Sequence, residues 1–218
     1  MAKTNLELSD ADRAALTAAV EAAEAGHAGE IVPFAAGASD AYEAASWRGA
    51  TIGGVSASLL AAALWYGSGS WGVPAVWIAL PAALGALLGL WLVRVIPAWR
   101  RALAGEDLLE REVRQRAVEA FLAEEVFRTR DRTGILIFLS LFERRVVILA
   151  DRGIHEVVTQ EEWDGIAHEL ASGIGAGRAV PALLRAIERC GELLRERRPA
   201  TRGDDVNELA DGVRVTES

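Results

Sequence analysis

Charge is missing from a long central stretch of the sequence. No Asp, Glu, Lys, Arg or His lies between Gly49 and Val93, a run of 45 residues, although 25% of the whole chain is charged. A helix that spans the hydrocarbon core of a bilayer needs about 20 apolar residues, so this run is too long for one span and predicts two. The polar, glycine-rich turn Gly67–Gly72 separates them. Two buried helices of a soluble protein are the alternative, although such helices rarely lack every charge over this length.

Cysteine and histidine are scarce. The single cysteine, Cys190, excludes an intramolecular disulfide framework and fits a reducing compartment. A phosphatase nucleophile in a C-x5-R loop would need arginine at position 196, where the sequence has Glu196. The three histidines, His27, His155 and His168, share no spacing typical of zinc ligands. No Ser-His-Asp or H-E-x-x-H pattern can be assembled, so the sequence offers no catalytic constellation.

Basic residues are outnumbered by acidic ones. The formal net charge is −8, which argues against nucleic acid as a partner because phosphate binding needs a basic face. The lack of Asp, Glu and His within the predicted spans argues against a proton relay, an ion channel or a transporter. Tryptophan, by contrast, is concentrated there: six of the seven lie between Trp47 and Trp99, and such rings prefer the headgroup layer of a membrane.

The few basic residues beside the spans predict their orientation. Arg48 precedes the first span, Arg94, Arg100 and Arg101 close the second, and the connecting turn has no basic residue. By the positive-inside rule, both ends of the chain then face the cytoplasm. Residues 1–12 lack the basic and apolar regions of a signal peptide, which fits a cytoplasmic start. The predicted location is the cell (inner) membrane, crossed twice, with the bilayer itself as one partner.

Small residues recur at four-residue spacing in both spans. Gly49 and Gly53 form one such pair, and Gly85 and Gly89 form another. This spacing lets helix backbones approach closely, which favours association in lipid. The glycines are expected either to pack the hairpin on itself or to form a homodimer.

The polar segments predict several helices. Ser9, with Asp12 three residues later, forms a capping box that starts a helix ending near Glu24. Ser39 is expected to cap a helix that begins near Asp40 and continues into the first span. A later helix is predicted over 106–127. Another begins after the Thr159–Glu162 capping box and is broken at Gly173, Gly175 and Gly177. The last predicted helix runs from Val180 to Leu194, and Pro199 ends it.

Three short apolar runs predict strands. Glu30–Ala36 contains Pro33, which cannot donate to a sheet ladder, so this strand is expected at an edge or with a bulge. Gly134–Phe142 is apolar on both faces, which is typical of a central strand covered by helices. A tight connection to Arg145–Ala150 predicts a hairpin of these two strands. Asp151–Gly153 then turns the chain out of the sheet.

The order of these elements predicts an α/β fold: a small mixed sheet flanked by helices, with an inserted two-helix transmembrane hairpin. Two separate small domains are disfavoured, because the roughly 45 residues before the first span cannot bury a core alone. The predicted boundaries are 1–48 for the first part of the domain, 49–99 for the hairpin, 100–199 for the second part and 200–218 for an acidic tail, partly ordered along the domain.

The segment DRTGILIFLSLFERRVVILADRGIHEVVTQEEWDGI, residues 131–166, resembles the strand, hairpin, turn and helix of the TPM domain. The chain is most similar to bacterial TPM proteins that carry a transmembrane hairpin inside the domain. The most specific matches are Thr133–Gly134, Glu143–Arg144 and Asp151–Ile154, and the likeness extends to Asn207–Leu209 in the tail. Pro33 departs from the pattern, which has a β-branched residue there.

The resemblance implies a modest set of properties. Plant and cyanobacterial relatives act in photosystem upkeep, some members are described as weak acid phosphatases, and calcium binding is reported for the domain. LemA-type membrane proteins are the partners it implies. By motif match, Asp151 is the residue expected at an ion or phosphate site, with Glu143, Asp164 and Asp131 as weaker candidates that flank the same strand ends.

Asp151 also has a purely structural interpretation. Its carboxylate would accept backbone N–H groups of the turn, or pair with Arg152 or Arg145. With this interpretation the chain is expected to be a membrane-anchored, non-catalytic interaction or stabilising module for a membrane partner. The alternative is a weak metal-assisted phosphatase that uses Asp151 with nearby carboxylates.

Overall fold

The computed structural model describes residues 8–25, 29–68, 72, 75–197, 209 and 212–216. The helices are α1 (Asp10–Glu24), α2 (Glu43–Gly67), α3 (Val76–Val95), α4 (Pro97–Ala104), α5 (Glu106–Ala123), α6 (Arg152–His155), α7 (Gln160–Gly175) and α8 (Ala179–Arg197). The strands are β1 (Glu30–Ala36), β2 (Gly134–Ser140), β3 (Arg145–Ala150) and β4 (Arg214–Thr216). The chain divides into two compact units. Residues 41–109 form the hairpin unit, and the segments before position 41 and after position 109 together form the α/β unit.

The strands of the α/β unit form one mixed sheet in the order β3-β2-β1-β4. β1 pairs in parallel with β2 and with β4, and β2 pairs antiparallel with β3. The predicted α/β class, the small mixed sheet and the β2–β3 hairpin are therefore confirmed. Because β1 precedes the apolar run and β2 follows it, both flanks of the sequence contribute to a single sheet.

Both faces of the central strands are buried, with alternate residues pointing to opposite sides. One face packs on α1, α7 and α8 and includes Ile31, Ala35, Ile135, Ile137 and Leu139. The other packs on α5 and includes Val32, Phe34, Ala36, Leu136 and Phe138. The prediction that β2 is a central strand covered by helices is confirmed.

Pro33 lies inside the sheet, so the prediction of an edge or bulged strand is wrong. β1 pairs with β2 along its whole length without interruption. The N–H of Glu30 donates to the Thr133 carbonyl on the β2 side, and that of Gly37 donates to the Thr216 carbonyl on the β4 side. Since successive N–H groups alternate between the two sides of a strand, the Pro33 nitrogen faces the β4 side, one residue before that pairing begins. The proline removes no hydrogen bond from the β1–β2 ladder.

Strand β4 was not predicted, because three residues are too few to show an alternating pattern. It pairs with the last three residues of β1. Arg214 forms an ion pair with Glu124, and the N–H of Leu209 donates to the buried Glu30 carboxylate at 2.6 Å. Part of the predicted tail is therefore an ordered strand, while Asn207 and Glu208 lie outside the described residues.

The two predicted capping boxes are confirmed. Ser9 and Asp12 bond reciprocally at the start of α1, and Thr159 and Glu162 do so at the start of α7. The Thr159 N–H, followed by the guanidinium of Arg197, lowers the pKa of the Glu162 carboxyl below its ordinary value. Both helices therefore begin where the sequence places them.

The predicted start of α2 is wrong. The helix begins at Glu43 instead of near Asp40, and the preceding Tyr42 is in the left-handed region with no side-chain cap. Ser39 does not cap this helix; its hydroxyl lies 2.9 Å from the hydroxyl of Ser140. The prediction of one continuous helix into the apolar run is confirmed.

Two later helices also differ from the prediction. α7 continues through Gly173, and the chain turns at Gly177, whose φ of 73° suits glycine. α5 ends at Ala123, because Glu125 adopts a left-handed conformation with a φ of 55°. His27, Pro199 and positions 69–71 of the predicted turn lie outside the described residues.

In the hairpin unit, α2 and α3 contact each other through glycine. A Cβ built on Gly53 would lie 2.2 Å from the Gly85 carbonyl oxygen, and one built on Gly89 would lie 2.1 Å from that of Gly49. Any side chain at these positions would force the backbones apart. All four glycines of the two predicted pairs thus pack the hairpin on itself, and a homodimer through Gly49/Gly53 or Gly85/Gly89 stays a prediction.

The large apolar side chains of α2 and α3 point outward. In the most apolar 18-residue window, 17% of α2 and 11% of α3 is buried. Both helices are long and apolar enough to cross a membrane. A core helix of a soluble protein would instead be mostly buried, so these two helices present the surface that lipid would cover.

The short helix α4 follows α3 after a break at Ile96, with Pro97 as its first residue. The guanidinium of Arg48 donates to the carbonyl oxygens of Leu103 and Ala104, at 2.5 and 3.0 Å. These carbonyls lack helical partners at the end of α4, so Arg48 satisfies them and complements the negative end of the helix dipole.

We predict that Gly53→Ala destabilises the hairpin, because its new methyl group would meet the Gly85 carbonyl. The expected loss is about 1–3 kcal/mol of unfolding free energy, the usual range for overpacking. Gly67→Ala in the same helix is the matched control, since a Cβ there meets nothing within 4 Å. Thermal unfolding of both variants in detergent checks the prediction, and equal transition temperatures would contradict the glycine contact.

Candidate functional site

The structure places the four candidate carboxylates in three separate places. Asp131 and Asp151 lie at the end of the sheet where β2 begins, and the Asp151 N–H donates to the Gly134 carbonyl at 2.9 Å. Glu143 lies in the β2–β3 turn, at the opposite end of a seven-residue strand that is about 20 Å long. Asp164 is exposed on α7. The expectation that all four flank the same strand ends is therefore wrong.

Asp151 is nine-tenths buried and holds the turn that leaves β3. Its Oδ1 accepts the N–H of Arg152 at 2.7 Å, and its Oδ2 lies 3.3 Å from Nε of Arg132. The predicted backbone role is confirmed, but the arginine partner is Arg132. Arg152 pairs instead with Glu156, so Asp151 does not use its neighbour's side chain.

Glycine at position 153 lets this turn close on the segment before β2. The Gly153 N–H donates to the Arg132 carbonyl at 2.9 Å. A Cβ at position 153 would lie 2.5 Å from the Asp131 carbonyl and 2.8 Å from that of Arg132. The D-R-G sequence thus combines a buried carboxylate with the small residue that a backbone-to-backbone contact requires.

Glu143 belongs to a buried polar network at the carboxyl ends of the parallel strands β1 and β2. Its Oε1 accepts the N–H of Ser39 at 2.8 Å, and its Oε2 accepts the hydroxyl of Ser140. The two serine hydroxyls are 2.9 Å apart. Ligands often bind at this end of an α/β sheet. Here the three side chains bond one another, and they join the segment after β1 to the β2–β3 turn.

Sequence reasoning missed the two serines. The sequence predicts a helix cap at Ser39, and Ser140 lies within the apolar run Gly134–Phe142. The available signal is a small polar residue at the end of β2 and another three residues after β1, close to buried strand ends where polar groups need partners.

Within the ranges that the structure describes, no three His, Cys, Asp or Glu side chains form a group that could hold a metal ion. Calcium takes six to eight oxygen ligands, and Asp131 and Asp151 are the two predicted ligands that lie at one end of the sheet. Asp164 instead accepts a hydrogen bond from Gln160 on its own helix at 2.8 Å. Calcium binding stays a prediction from the resemblance.

Cys190 is buried among the apolar residues that α8 packs against the sheet. Burial raises the pKa of its thiol to about 12. At neutral pH the thiol is protonated, so it has neither the thiolate nor the access that a nucleophile needs. The structure thus gives Cys190 a packing role.

No protein-family model and no curated protein matches this sequence. Among solved structures, the chain is similar to the NMR structure of the BA42 protein from the psychrophilic bacterium Bizionia argentinensis. The TM-score is 0.58 at 18% sequence identity, with 99% of this chain and 100% of BA42 covered. At this identity the likeness shows a shared fold alone. The resemblance to the TPM domain stays a prediction.

We predict that Glu143→Ala destabilises the α/β unit. The change removes the acceptor of the part-buried Ser39 N–H and of the buried Ser140 hydroxyl, at a cost of about 1–3 kcal/mol. Asp164→Ala is the control, because this exposed carboxylate accepts a hydrogen bond from Gln160 on its own helix. We expect the control to change the unfolding free energy by less than about 0.5 kcal/mol. Equal losses in chemical denaturation would contradict the structural role of Glu143.

Proposed function

We propose that this chain is a two-pass protein of the cell (inner) membrane whose α/β unit is a non-catalytic interaction module for a membrane partner. The observation that carries the proposal is the outward-facing apolar surface of α2 and α3. Leu64 on α2 and Trp91 on α3, for example, are 68% and 58% exposed, and many other large apolar side chains of these helices are exposed as well. Leaving so much apolar surface in water costs about 25 cal/mol for each Å², whereas lipid removes that cost.

The distribution of arginine supports an orientation with both termini in the cytoplasm. Arg48, Arg94, Arg100 and Arg101 all belong to the end of the hairpin opposite the α2–α3 turn. A surplus of Lys and Arg marks the cytoplasmic side of membrane proteins. On this orientation, the α/β unit is cytoplasmic.

The buried carboxylates support an interaction role over a catalytic one. The Asp151 carboxylate accepts a backbone N–H of its turn and pairs with Arg132, and the Glu143 carboxylate accepts hydrogen bonds from Ser39 and Ser140. Each group thus has a structural use, which makes the turn interpretation of Asp151 the simpler one. The phosphatase alternative needs Asp151 to release these contacts and to act with further carboxylates.

A contact surface for the partner is available on α5. In the described part of the α/β unit, the large hydrophobic side chains that are exposed are Val118 and Leu122, at 44% and 57%. They are four residues apart and therefore lie on one face of the helix. An apolar pair between charged neighbours suits a partner helix, and a LemA-type membrane protein is the partner that the TPM resemblance suggests.

Affinity capture of the tagged full-length protein from membranes tests the proposal. We expect the partner to be retained by Asp151→Asn and lost from the double variant Val118→Ser, Leu122→Ser, because the polar hydroxyls remove the apolar contact. The matched control is Glu188→Ser with Glu192→Ser, an exposed pair at the same spacing on α8. Loss of the partner with Asp151→Asn, together with phosphomonoester hydrolysis by the wild type, would favour the phosphatase instead.

Cysteine labelling tests the orientation. Ser68→Cys places a thiol in the α2–α3 turn, and we expect a membrane-impermeant maleimide to label it in intact cells. The buried Cys190 gives a low background, because its thiol is protonated at neutral pH. Labelling only after the membrane is opened would place the turn in the cytoplasm and reject the proposed orientation.

A further inference from the structure

Strand β3 forms one edge of the sheet, with β2 on its inner side. The Asp151 N–H donates to the Gly134 carbonyl, and successive N–H groups of a strand alternate between its two sides. The N–H and carbonyl groups of Val146, Ile148 and Ala150 therefore point away from β2. In the part of the chain that the structure describes, these outward groups have no hydrogen-bond partner. Another β-strand would complement them.

The side chains of β3, in contrast, are used within the α/β unit. Ile148 belongs to the buried cluster that includes residues of α7 and α8, and Val146 and Ala150 pack against that cluster. Val147 and Leu149 pack on the other face of the sheet, which α5 covers. Both faces of the strand are therefore engaged, and its outer edge is the part that is open.

The opposite edge of the sheet is protected in several ways. β4 has three residues, which makes it a short edge strand. On the part of β1 that β4 leaves uncovered, Pro33 has no N–H, and the N–H of Ile31 donates to the Glu24 carboxylate at 2.7 Å. β3 has six residues without proline or glycine, and its one charged residue, Arg145, is at its start. It therefore lacks most of the features that keep an edge strand from pairing.

We propose that β3 pairs antiparallel with β3 of a second copy of this chain, around a twofold axis at Ile148. This register places Val146 of each copy opposite Ala150 of the other, and Ile148 opposite itself. The three pairs each exchange two N–H···O hydrogen bonds, so all the outward backbone groups of the strand are bonded. A register centred on Val147 or on Leu149 would place Ala150 or Val146 beyond the end of the facing strand.

The charges at the ends of β3 favour the same register. It places Arg145 of each copy opposite Asp151 of the other, and opposite charges in directly opposed positions stabilise a strand pair. The Asp151 carboxylate already has partners in its own chain. Coulomb attraction to Arg145 needs no further hydrogen bond, and it is stronger at a partly buried site than in water. A strand of another protein would meet the same backbone groups without this charge match.

The pairing closes at two copies. A twofold interface uses the same edge of both chains, so the joined sheet has the order β4-β1-β2-β3-β3-β2-β1-β4. Its two ends are the short β4 strands, and no β3 edge is left open. This pairing involves the α/β unit alone and does not depend on insertion of the hairpin into a membrane.

Disulfide trapping of the full-length protein in detergent tests the register. Val147 of one copy would lie opposite Leu149 of the other in a non-hydrogen-bonded pair, with Cα atoms about 4.5 Å apart, which a disulfide can bridge. We expect the double variant Val147→Cys, Leu149→Cys to form a covalent dimer when a copper–phenanthroline oxidant is added. Each single variant is a matched control, because its two cysteines would lie about 7–8 Å apart, too far for a disulfide. The buried Cys190 is common to all three variants.

Light scattering of the detergent-solubilised protein tests the charge pair. We expect the wild type to be a dimer. Arg145→Glu should raise the dimer Kd about tenfold, because it places two acidic residues opposite each other at both ends of the strand pair. Glu110→Gln is the control, since it removes the ion pair that Arg145 makes within its own chain at 3.8 Å and leaves the facing residues unchanged. We expect this control to change the Kd by less than about twofold.

Three results would overturn the proposal. A monomeric wild type would exclude the dimer. A dimeric wild type whose double-cysteine variant forms no more covalent dimer than the single variants would assign the dimer to another surface. Equal effects of Arg145→Glu and Glu110→Gln would reject the register centred on Ile148.

Discussion

The parallel pairing of β1 with β2 is the interaction on which the rest of the α/β unit depends. Parallel neighbours need a crossover of a dozen or more residues, and here the crossover contains the whole hairpin and α5. The pairing brings residues from both sides of the apolar run into one core, since α1 packs with α8 on one face of the sheet and α5 covers the other. Without this ladder, β1 and β4 would not join the β2–β3 hairpin, and the segment before the apolar run would have no sheet to pack on.

Polar contacts then hold the chain at each end of the sheet. At one end, Asp151 and Gly153 bind the turn after β3 to the segment before β2. At the other, Glu143 and two serines bind the chain after β1 to the β2–β3 turn. Asp151 and Glu143, which the sequence analysis names as candidate ligands, thus serve as hydrogen-bond acceptors for backbone and hydroxyl groups. The hairpin unit is held together differently, by close backbone contact between the glycines of α2 and α3.

Much of the fold could be predicted because its signals are local. The strands β1, β2 and β3 are uninterrupted apolar runs between turn residues, the capping boxes fix the starts of α1 and α7, and the absence of charge marks the hairpin. The errors concern long-range pairing. Pro33 predicts an edge strand, but its nitrogen faces the β4 side and leaves the β1–β2 pairing intact. Ser39 predicts a helix cap, but its hydroxyl lies beside that of Ser140, which is distant in sequence. The separation of Glu143 from Asp151, by contrast, follows from the predicted hairpin, since the whole strand Arg145–Ala150 lies between these two residues.

Strand β4 has a consequence for how the protein is made. It is translated long after β1, whose outer edge it covers at Phe34–Ala36. Until β4 leaves the ribosome, a nascent chain that has already joined β1 to β2 carries an open sheet edge, the kind of surface that pairs with other chains. Pro33 offers no N–H on that side, so it shortens the ladder that an intruding strand could build. Before β4 is made, the proline limits pairing at this edge, and afterwards β4 itself covers Phe34–Ala36.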